Sequence, residues 1–454
     1  KLFLLMKNWT FKKWNNILGW EVFGIALVTY LSTIEHKFSF WDTGEYISSA
    51  VKLEVTHAPG AALFQLVGAV AAILSFGNDT YYSLIINAMS ALFSAFTILF
   101  LFWTITHLVR RILNKEMEEL SSAEMISVLF SGVIGSLAFT FSDTFWYSAV
   151  EGEVYSMASM FIALVVWLIT KWENEYHDSD SQRWIILIFF ITGLSVGVHM
   201  MVMLAVPAVC FIYYARNYKF TWKNFIIANF ITLGVLAFVF KGIFPIVMRL
   251  FGKSEIFFVN SIGLPFHSGT IIAFMILVAF CYYIIRYTRK TKNNLYQTAA
   301  LSVVYMIIGF SCWMMIPIRA NANPPMNLNN PDTAIGMLDY YNREQYGDWP
   351  TIYGQNYTAH LDAHGIERNE DGSYKTIKTG DVYEKNEETG KYEKIDERTS
   401  YVYNKEHVSF LPRMYNSDKT VMNNYVSMYG APDFEFNYSN EKVVDNPHAK
   451  EAFE

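Results

Sequence analysis

WIILIFFITGLSVGVHMMVMLAVPAVCFIYYA, residues 184–215, is the stretch on which the fold turns. It contains no Asp, Glu, Lys or Arg, and His199 is its one ionisable imidazole. A helix crosses a hydrocarbon core of ~30 Å with about 20 apolar residues, so this run is either one long span or two short ones broken near Gly197–His199. The choice sets which side of the membrane every later loop occupies. Short cytoplasmic loops collect Lys and Arg, and that bias discriminates. With two helices here, the cytoplasmic segments 1–16, 110–124, 171–183, 214–223 and 286–294 hold 16 basic residues. The outer segments 35–81, 143–153 and 249–267 hold four, Lys37, Lys52, Arg249 and Lys253. A single span would put the basic segments 214–223 and 286–294 on opposite sides, so two are expected.

The remaining runs are Ile17–Ile34, Tyr82–Thr106, Met125–Ser142, Val154–Thr170, Asn224–Val247 (interrupted by Lys241), Ser268–Ile285 and Asn293–Ile318, giving nine spans. Ala61–Phe76 is apolar but reaches only about 24 Å at 1.5 Å per residue, so it is expected to lie against the membrane. Nine is odd, which puts the region after 318 on the outer side with loops 35–81 and 143–153. Lys1 in place of Met reads as a fragment or an extended start. The first sixteen residues lack a small-residue cleavage site, so a cytoplasmic N-terminus is expected and not a removable signal peptide.

Composition separates two materials. The 454 residues are 53% hydrophobic and 17% charged, with net charge −6. Residues 319–454 carry 14 basic and 23 acidic residues, a net of −9, which leaves +3 for the first 318. Such a chain is too aromatic for disorder and too acidic for nucleic-acid binding. Cys210, Cys281 and Cys312 all fall in apolar runs, with no disulfide or zinc spacing. In the tail, Asn321 to Pro331 is too rich in Asn and Pro for regular helix. Tyr374–Tyr403 reads as short strands with turns at Thr379-Gly380 and Thr389-Gly390, a small β meander.

The chemistry-bearing stretch is Phe40-Trp41-Asp42-Thr43-Gly44-Glu45-Tyr46, followed by His57-Ala58-Pro59-Gly60. Two carboxylates three apart project from one face of a helix starting near Asp42, at the headgroup boundary. There a carboxylate can take a proton from a hydroxyl nucleophile whose co-substrate is a lipid. The open alternative is that Asp42 is an N-cap and Glu45 completes a capping pair. The second outer loop holds Asp143, Trp146, Tyr147, Glu151, Glu153 and Tyr155, acids and aromatics that suit sugar recognition. An interfacial aromatic belt accounts for the aromatics equally well, but not for acids without basic partners. His199 lies at the expected helix break, where a structural role is the plainer reading. Arg319 ends the last span, as a phosphate ligand or as an interfacial anchor.

WDTGEYISSAVKLEVTHAPGAALF, SDTFWYSAVEGEVYS, RANANPPMNLNNPD and NREQYGD together resemble a multi-pass family long labelled only as a domain of unknown function. Its vertebrate member is described as an endoplasmic-reticulum protein O-mannosyltransferase, and its bacterial members are similar to inner-membrane proteins of Bacteroidota-type bacteria. The resemblance covers roughly 17–350 and has the layout of GT-C glycosyltransferases. It implies an all-α integral membrane protein with about nine transmembrane helices plus juxtamembrane helices, and a small polar α/β or β-rich extracytoplasmic C-terminal region. The expected division is a cytoplasmic N-terminus (1–16), a transmembrane domain (17–318) with a catalytic outer loop (35–81), and a polar region (319–454). Family members read His-Pro-Pro-Gly where this chain has His57-Ala58-Pro59-Gly60.

The resemblance further implies a polyprenyl-phosphate-linked sugar donor, mannose favoured, and a protein or glycan acceptor on the periplasmic face of a bacterial inner membrane. It makes Asp42 the general base, with Glu45 orienting the acceptor or Asp42. Asp143, Glu151 and Glu153, with the aromatics Trp146 and Tyr155, become sugar or acceptor contacts; His57, His199 and Arg319 are assigned to the donor phosphate. It implies no definite cofactor; a divalent cation is a candidate, and charge neutralisation by Arg or His would serve with or without one. A secondary transporter or lipid flippase, drawing on Lys241 and the break at His199, and a scaffold subunit of an envelope complex are the rival readings.

Overall fold

The computed structural model describes residues 11–178, 180–347, 349–412 and 414–430. Lys1 and Lys7 of the expected cytoplasmic N-terminus, and the tail beyond Gly430, lie outside the described residues. The chain divides into two compact units, Lys1–Phe257 with His267–Asn342, and Phe258–Phe266 with Arg343–Glu454. The first unit thus runs past the expected boundary at 318 and takes in the Asn/Pro segment.

The described part of the first unit is mainly helical. Its helices are α1 (Phe11–Ser32), α2 (Thr43–Lys52), α3 (Ala62–Ala72), α4 (Tyr82–Leu113), α5 (Ser122–Thr140), α6 (Asp143–Ala149), α7 (Val154–Asn174) and α8 (Gln182–Ser195). There follow α9 (Val206–Asn217), α10 (Trp222–Ala237), α11 (Phe244–Ile256), α12 (Ser268–Thr291), α13 (Asn294–Phe310), α14 (Met315–Asn321) and α15 (Ala334–Asn342). Every expected span is helical, and among the described residues seven helical segments are long and apolar enough to cross a membrane. Of the other expected spans, α8 has only 14 residues, and α1 carries Lys12, Lys13 and Glu21. This is a multi-pass membrane protein. The apolar stretch at Ala62–Ser75 is short, as its length requires.

Residues 184–215 are broken where the glycine suggested. α8 ends at Ser195, His199 is extended at φ −162°, and a 3-10 turn over Met200–Ala205 leads into α9 with Pro207 in its first turn. Proline has no N–H to donate, so it is tolerated there and not in a continuous helix. The break is fastened by Gly197, whose carbonyl accepts the main-chain N–H groups of Leu63 (2.7 Å) and Phe64 (3.3 Å) at the head of α3. A Cβ on Gly197 would lie 2.6 Å from Cys312 Sγ.

Small residues let the helices approach closely. Ala26 of α1 packs with Ala91 and Ala95 of α4, and the Tyr30 hydroxyl donates to Thr140 O of α5 at 3.1 Å. α8 and α13 meet at Gly193 and Gly309, where an added Cβ would sit 2.0 Å from Met306 O and 2.3 Å from Phe190 O respectively. Glu255, fully buried in α11, is a polar side chain in an apolar setting with a defined task. It accepts from the main chains of His267 and Thr270 and from the Thr270 hydroxyl, satisfying the open N–H groups at the head of α12.

The second unit holds β1 (Tyr353–Gln355), α16 (Thr358–Leu361), β2 (Thr376–Asn386), β3 (Lys391–Tyr401), β4 (Val408–Phe410) and α17 (Lys419–Tyr429). β1 pairs with β4 and β2 with β3, both antiparallel. The expected meander is therefore a single long hairpin. Thr389-Gly390 lies in its turn, but Thr379-Gly380 sits inside β2, where the register slips between Lys378 and Gly380. A Gly in a strand produced a bulge, not a reversal. Elsewhere His407 bridges Asp362 (2.7 Å) and Thr358 (2.9 Å).

Candidate functional site

The loop after α1 is tied down by Asn87 of α4, fully buried, whose amide donates to the carbonyls of Glu35 (2.6 Å) and Lys37 (2.9 Å). The chain then presents Phe38, Phe40 and Trp41 as exposed apolar side chains, Trp41 in the left-handed region at φ 62°. α2 begins directly after.

Asp42 occupies the N-cap position of α2, but its side chain makes no capping hydrogen bond. Glu45 does not reach back to the N-cap either. Its Oε1 accepts both the main-chain N–H of His57 (2.7 Å) and His57 Nδ1 (3.0 Å). The capping-pair alternative is thereby removed. With Nδ1 turned to Glu45, His57 Nε2 faces Asp42 Oδ2 at 3.9 Å. Burial pushes the Glu45 carboxyl up, and the hydrogen bonds and charge of His57 more than offset it, holding the group below the ordinary carboxylate range. Asp42, Glu45 and His57 each offer a ligand atom within 4.8 Å of the others. Two oxygens and one imidazole nitrogen form a donor set that a divalent cation such as Mn²⁺ could use.

Glu151 and Glu153 approach the same helix from the second loop. The Ser39 hydroxyl donates to Glu151 Oε2, and the Ser39–Thr43 pair at 3.1 Å passes the chain of hydroxyls on to Glu153 Oε1, 3.5 Å from Thr43. Glu153, 6% exposed, also caps α7 by accepting from Val154 N. Burial, then the negative charges of Asp42 and Glu151, raise its carboxyl to about 7. Glu151 is raised by burial too, a shift that the Ser39 hydrogen bond reduces and the Glu35 charge adds to. Tyr46 is pushed up by burial and then by the charges of Glu153, Asp42 and Glu45. Its ring lies 5.8 Å from that of His57. No Lys or Arg pairs with Asp42, Glu45, Glu151 or Glu153 among the described residues.

The other expected residues fall in different places. The Tyr155 and His199 rings lie 5.5 Å apart, tilted by 52°, and His199 Nδ1 accepts from Met201 N, which leaves the proton on Nε2. Trp146 donates its indole N–H to Thr33 and packs on Phe141, tying α6 to the end of α1. Asp143 is exposed in the first turn of α6, and no contact joins it to the acids above. Arg319 spends its guanidinium on the carbonyls of Leu53 (2.5 Å) and Lys52 (3.2 Å) at the end of α2. Ser39, Thr43 and Tyr46 were missed by the sequence reading. Their signal was adjacency to the paired acids, which does not say which way a side chain points.

Residues 42–222 match the family Protein O-mannosyl-transferase TMEM260 N-terminal domain. This segment is similar to that N-terminal domain. It begins at Asp42 and takes in α2, both acid-bearing loops and the break at His199. The chain is 27% identical over 175 residues to Protein O-mannosyl-transferase TMEM260 of Mus musculus, covering 38% of this chain and 22% of that protein. It is 23% identical over 214 residues to Protein O-mannosyl-transferase tmem260 of Dictyostelium discoideum, covering 45% of this chain and 24% of that one. The matches thus span less than a quarter of either relative. Residues 347–451 match a family of unknown function, DUF8416.

Proposed function

We propose that the protein is a membrane glycosyltransferase that moves a sugar, mannose first among candidates, from a polyprenyl-phosphate donor to a Ser or Thr hydroxyl of an extracytoplasmic protein. The observation that carries this reading is the meeting of Asp42, Glu45 and His57 at the head of a segment similar to the TMEM260 N-terminal domain. Asp42 is the general base. The acceptor hydroxyl gives its proton to the Asp42 carboxylate as its oxygen attacks the sugar C1. The bond from C1 to the phosphate oxygen breaks on the opposite face, the phosphate leaves with the electron pair, and the configuration inverts.

A phosphate leaving group needs no general acid, only charge neutralisation. His57 is assigned to it, and the Nε2–H of His199 is assigned to hydrogen-bonding the departing phosphate. Glu45 fixes the orientation of His57. A divalent cation held by Asp42, Glu45 and His57 would neutralise phosphate charge at the same place. Glu153, partly protonated near neutrality, can donate a hydrogen bond to a sugar or acceptor hydroxyl. Tyr155 supplies an apolar face for the sugar ring. The basic ends of the spans are assigned to the cytoplasm and the acid cluster to the periplasmic face of a bacterial inner membrane. Against the transporter reading, the Lys241 side chain is exposed beside Phe240 and not turned into the helix bundle.

The test is transfer from polyprenyl-phosphate-mannose to a Ser/Thr peptide by the purified protein. Asp42→Asn is expected to lower kcat by about 100-fold or more while the protein remains folded. A folded variant that keeps most of its activity rules out Asp42 as base.

A further inference from the structure

The turn from Leu53 to Gly60, which follows α2 and carries His57, belongs to no regular element except a single bridge, so its main-chain polar groups, like the carbonyl of Lys52 at the helix end, must find partners elsewhere. All six carbonyls from Lys52 to His57 do. Arg319 takes those of Lys52 and Leu53, and the Gln65 amide takes Glu54 O at 2.8 Å. Val55 pairs as a strand would, donating to Met326 O (2.9 Å) and accepting from Leu328 N (3.2 Å). The hydroxyl of Tyr340, a side chain 2% exposed in α15, lies 2.5 Å from Thr56 O and 3.2 Å from His57 O. Residues 319–340 therefore form a template on which the turn is moulded. Gly60 completes the fit: at φ 77° a Cβ would stand 2.6 Å from the Tyr340 hydroxyl oxygen.

We infer that Tyr340 is a positioning residue for His57, and that residues 319–340 belong to the active site although they lie far from its acids in sequence. Glu45 holds the imidazole and main-chain N–H of His57, and the His57 carbonyl lies between the Gly60 N–H (2.8 Å) and the Tyr340 hydroxyl. Removing the Tyr340 hydroxyl takes the donor from Thr56 O, buried beside His57, and leaves His57 O only the Gly60 N–H, so the turn loosens and the ring can then drift from Asp42. A displacement of about 1 Å in a catalytic group is enough to cost 10- to 100-fold in rate. The inference rests on the glycosyl-transfer reading for its kinetic consequence, but not for its structural one.

Two measurements on the full chain test it. In the transfer assay, Tyr340→Phe is expected to lower kcat about 10-fold or more with the peptide KM within about 2-fold of wild type. Tyr341→Phe removes a hydroxyl one residue away, on a ring packed against Trp313, and should leave kcat unchanged. Separately, acylation of His57 by diethyl pyrocarbonate, read by peptide mass spectrometry, should rise about 3-fold or more in Tyr340→Phe and not in Tyr341→Phe, as local protection is lost. Wild-type kcat and unchanged His57 labelling in Tyr340→Phe overturn the inference. So does equal loss in both variants, which would mark a general packing effect. If wild-type protein transfers no mannose, the function reading fails, and His57 labelling alone decides the positioning role.

Discussion

Glu153 holds its proton to about pH 7 because burial and the charges of Asp42 and Glu151 oppose ionisation, whereas the unfolded chain ionises near 4.5. The folded state therefore binds more protons than the unfolded one between those values, and stability falls as pH rises through that window. Below 4.5 the group contributes nothing; above 7 it costs up to about 3 kcal/mol. Glu153→Gln is accordingly expected to raise the unfolding temperature in detergent at pH 8 and to leave it nearly unchanged at pH 4.5. Equal shifts at both values would mean that the carboxyl is not held protonated. At this scale the spacing of Asp42 and Glu45 was legible, since three residues put both on one helix face. That Glu45 would turn to His57 instead of to its own N-terminus was not, because a local cap and a distant imidazole satisfy the same carboxylate.

Between elements, α8 and α13 approach closely at Gly193 and Gly309, where each glycine faces the other helix's main chain. Main-chain atoms cannot rotate away, so any side chain forces the helices apart. Gly309→Leu is expected to destabilise the protein by about 2 kcal/mol or more, read as a lower melting temperature and loss of monodispersity in detergent. Gly234, with open space around its Cβ position, is the control, and Gly234→Leu should be neutral. The break in residues 184–215 was legible because the basic loops on either side had to share one face of the membrane. The hairpin was half legible. Thr389-Gly390 and Thr379-Gly380 are the same dipeptide, and only pairing with β3 decided that one lies in the turn and the other in a bulge.

For the molecule as a whole, the charge split that divides the sequence at 318 does not coincide with the structural division at Asn342. Polarity marks where the chain leaves the apolar phase, while the unit continues as far as its side chains still find partners. Residues 319–342 are polar enough to read as tail, yet Ala320, Met337, Tyr340 and Tyr341 pack in the core with Phe310 and Trp313. The sidedness that assigns the basic loops to the cytoplasm predicts a labelling pattern in whole cells. Thr144→Cys, exposed on α6, should react with a membrane-impermeant maleimide from outside, and Glu118→Cys only after permeabilisation. The opposite pattern would invert the topology and move the acid cluster to the cytoplasm.

The moulding of the Leu53–Gly60 turn on residues 319–340 also sets an order of events during synthesis. The first loop leaves the ribosome early, but the strand-like partner of Val55 and the hydroxyl that holds Thr56 and His57 follow more than 250 residues later. Until α15 has been made, Glu45 alone holds the imidazole, and the turn that carries it lacks its partners. A nascent chain, or one truncated before Tyr340, would therefore display the paired carboxylates without a completed centre, and catalytic competence would arrive only when the membrane unit closes on itself.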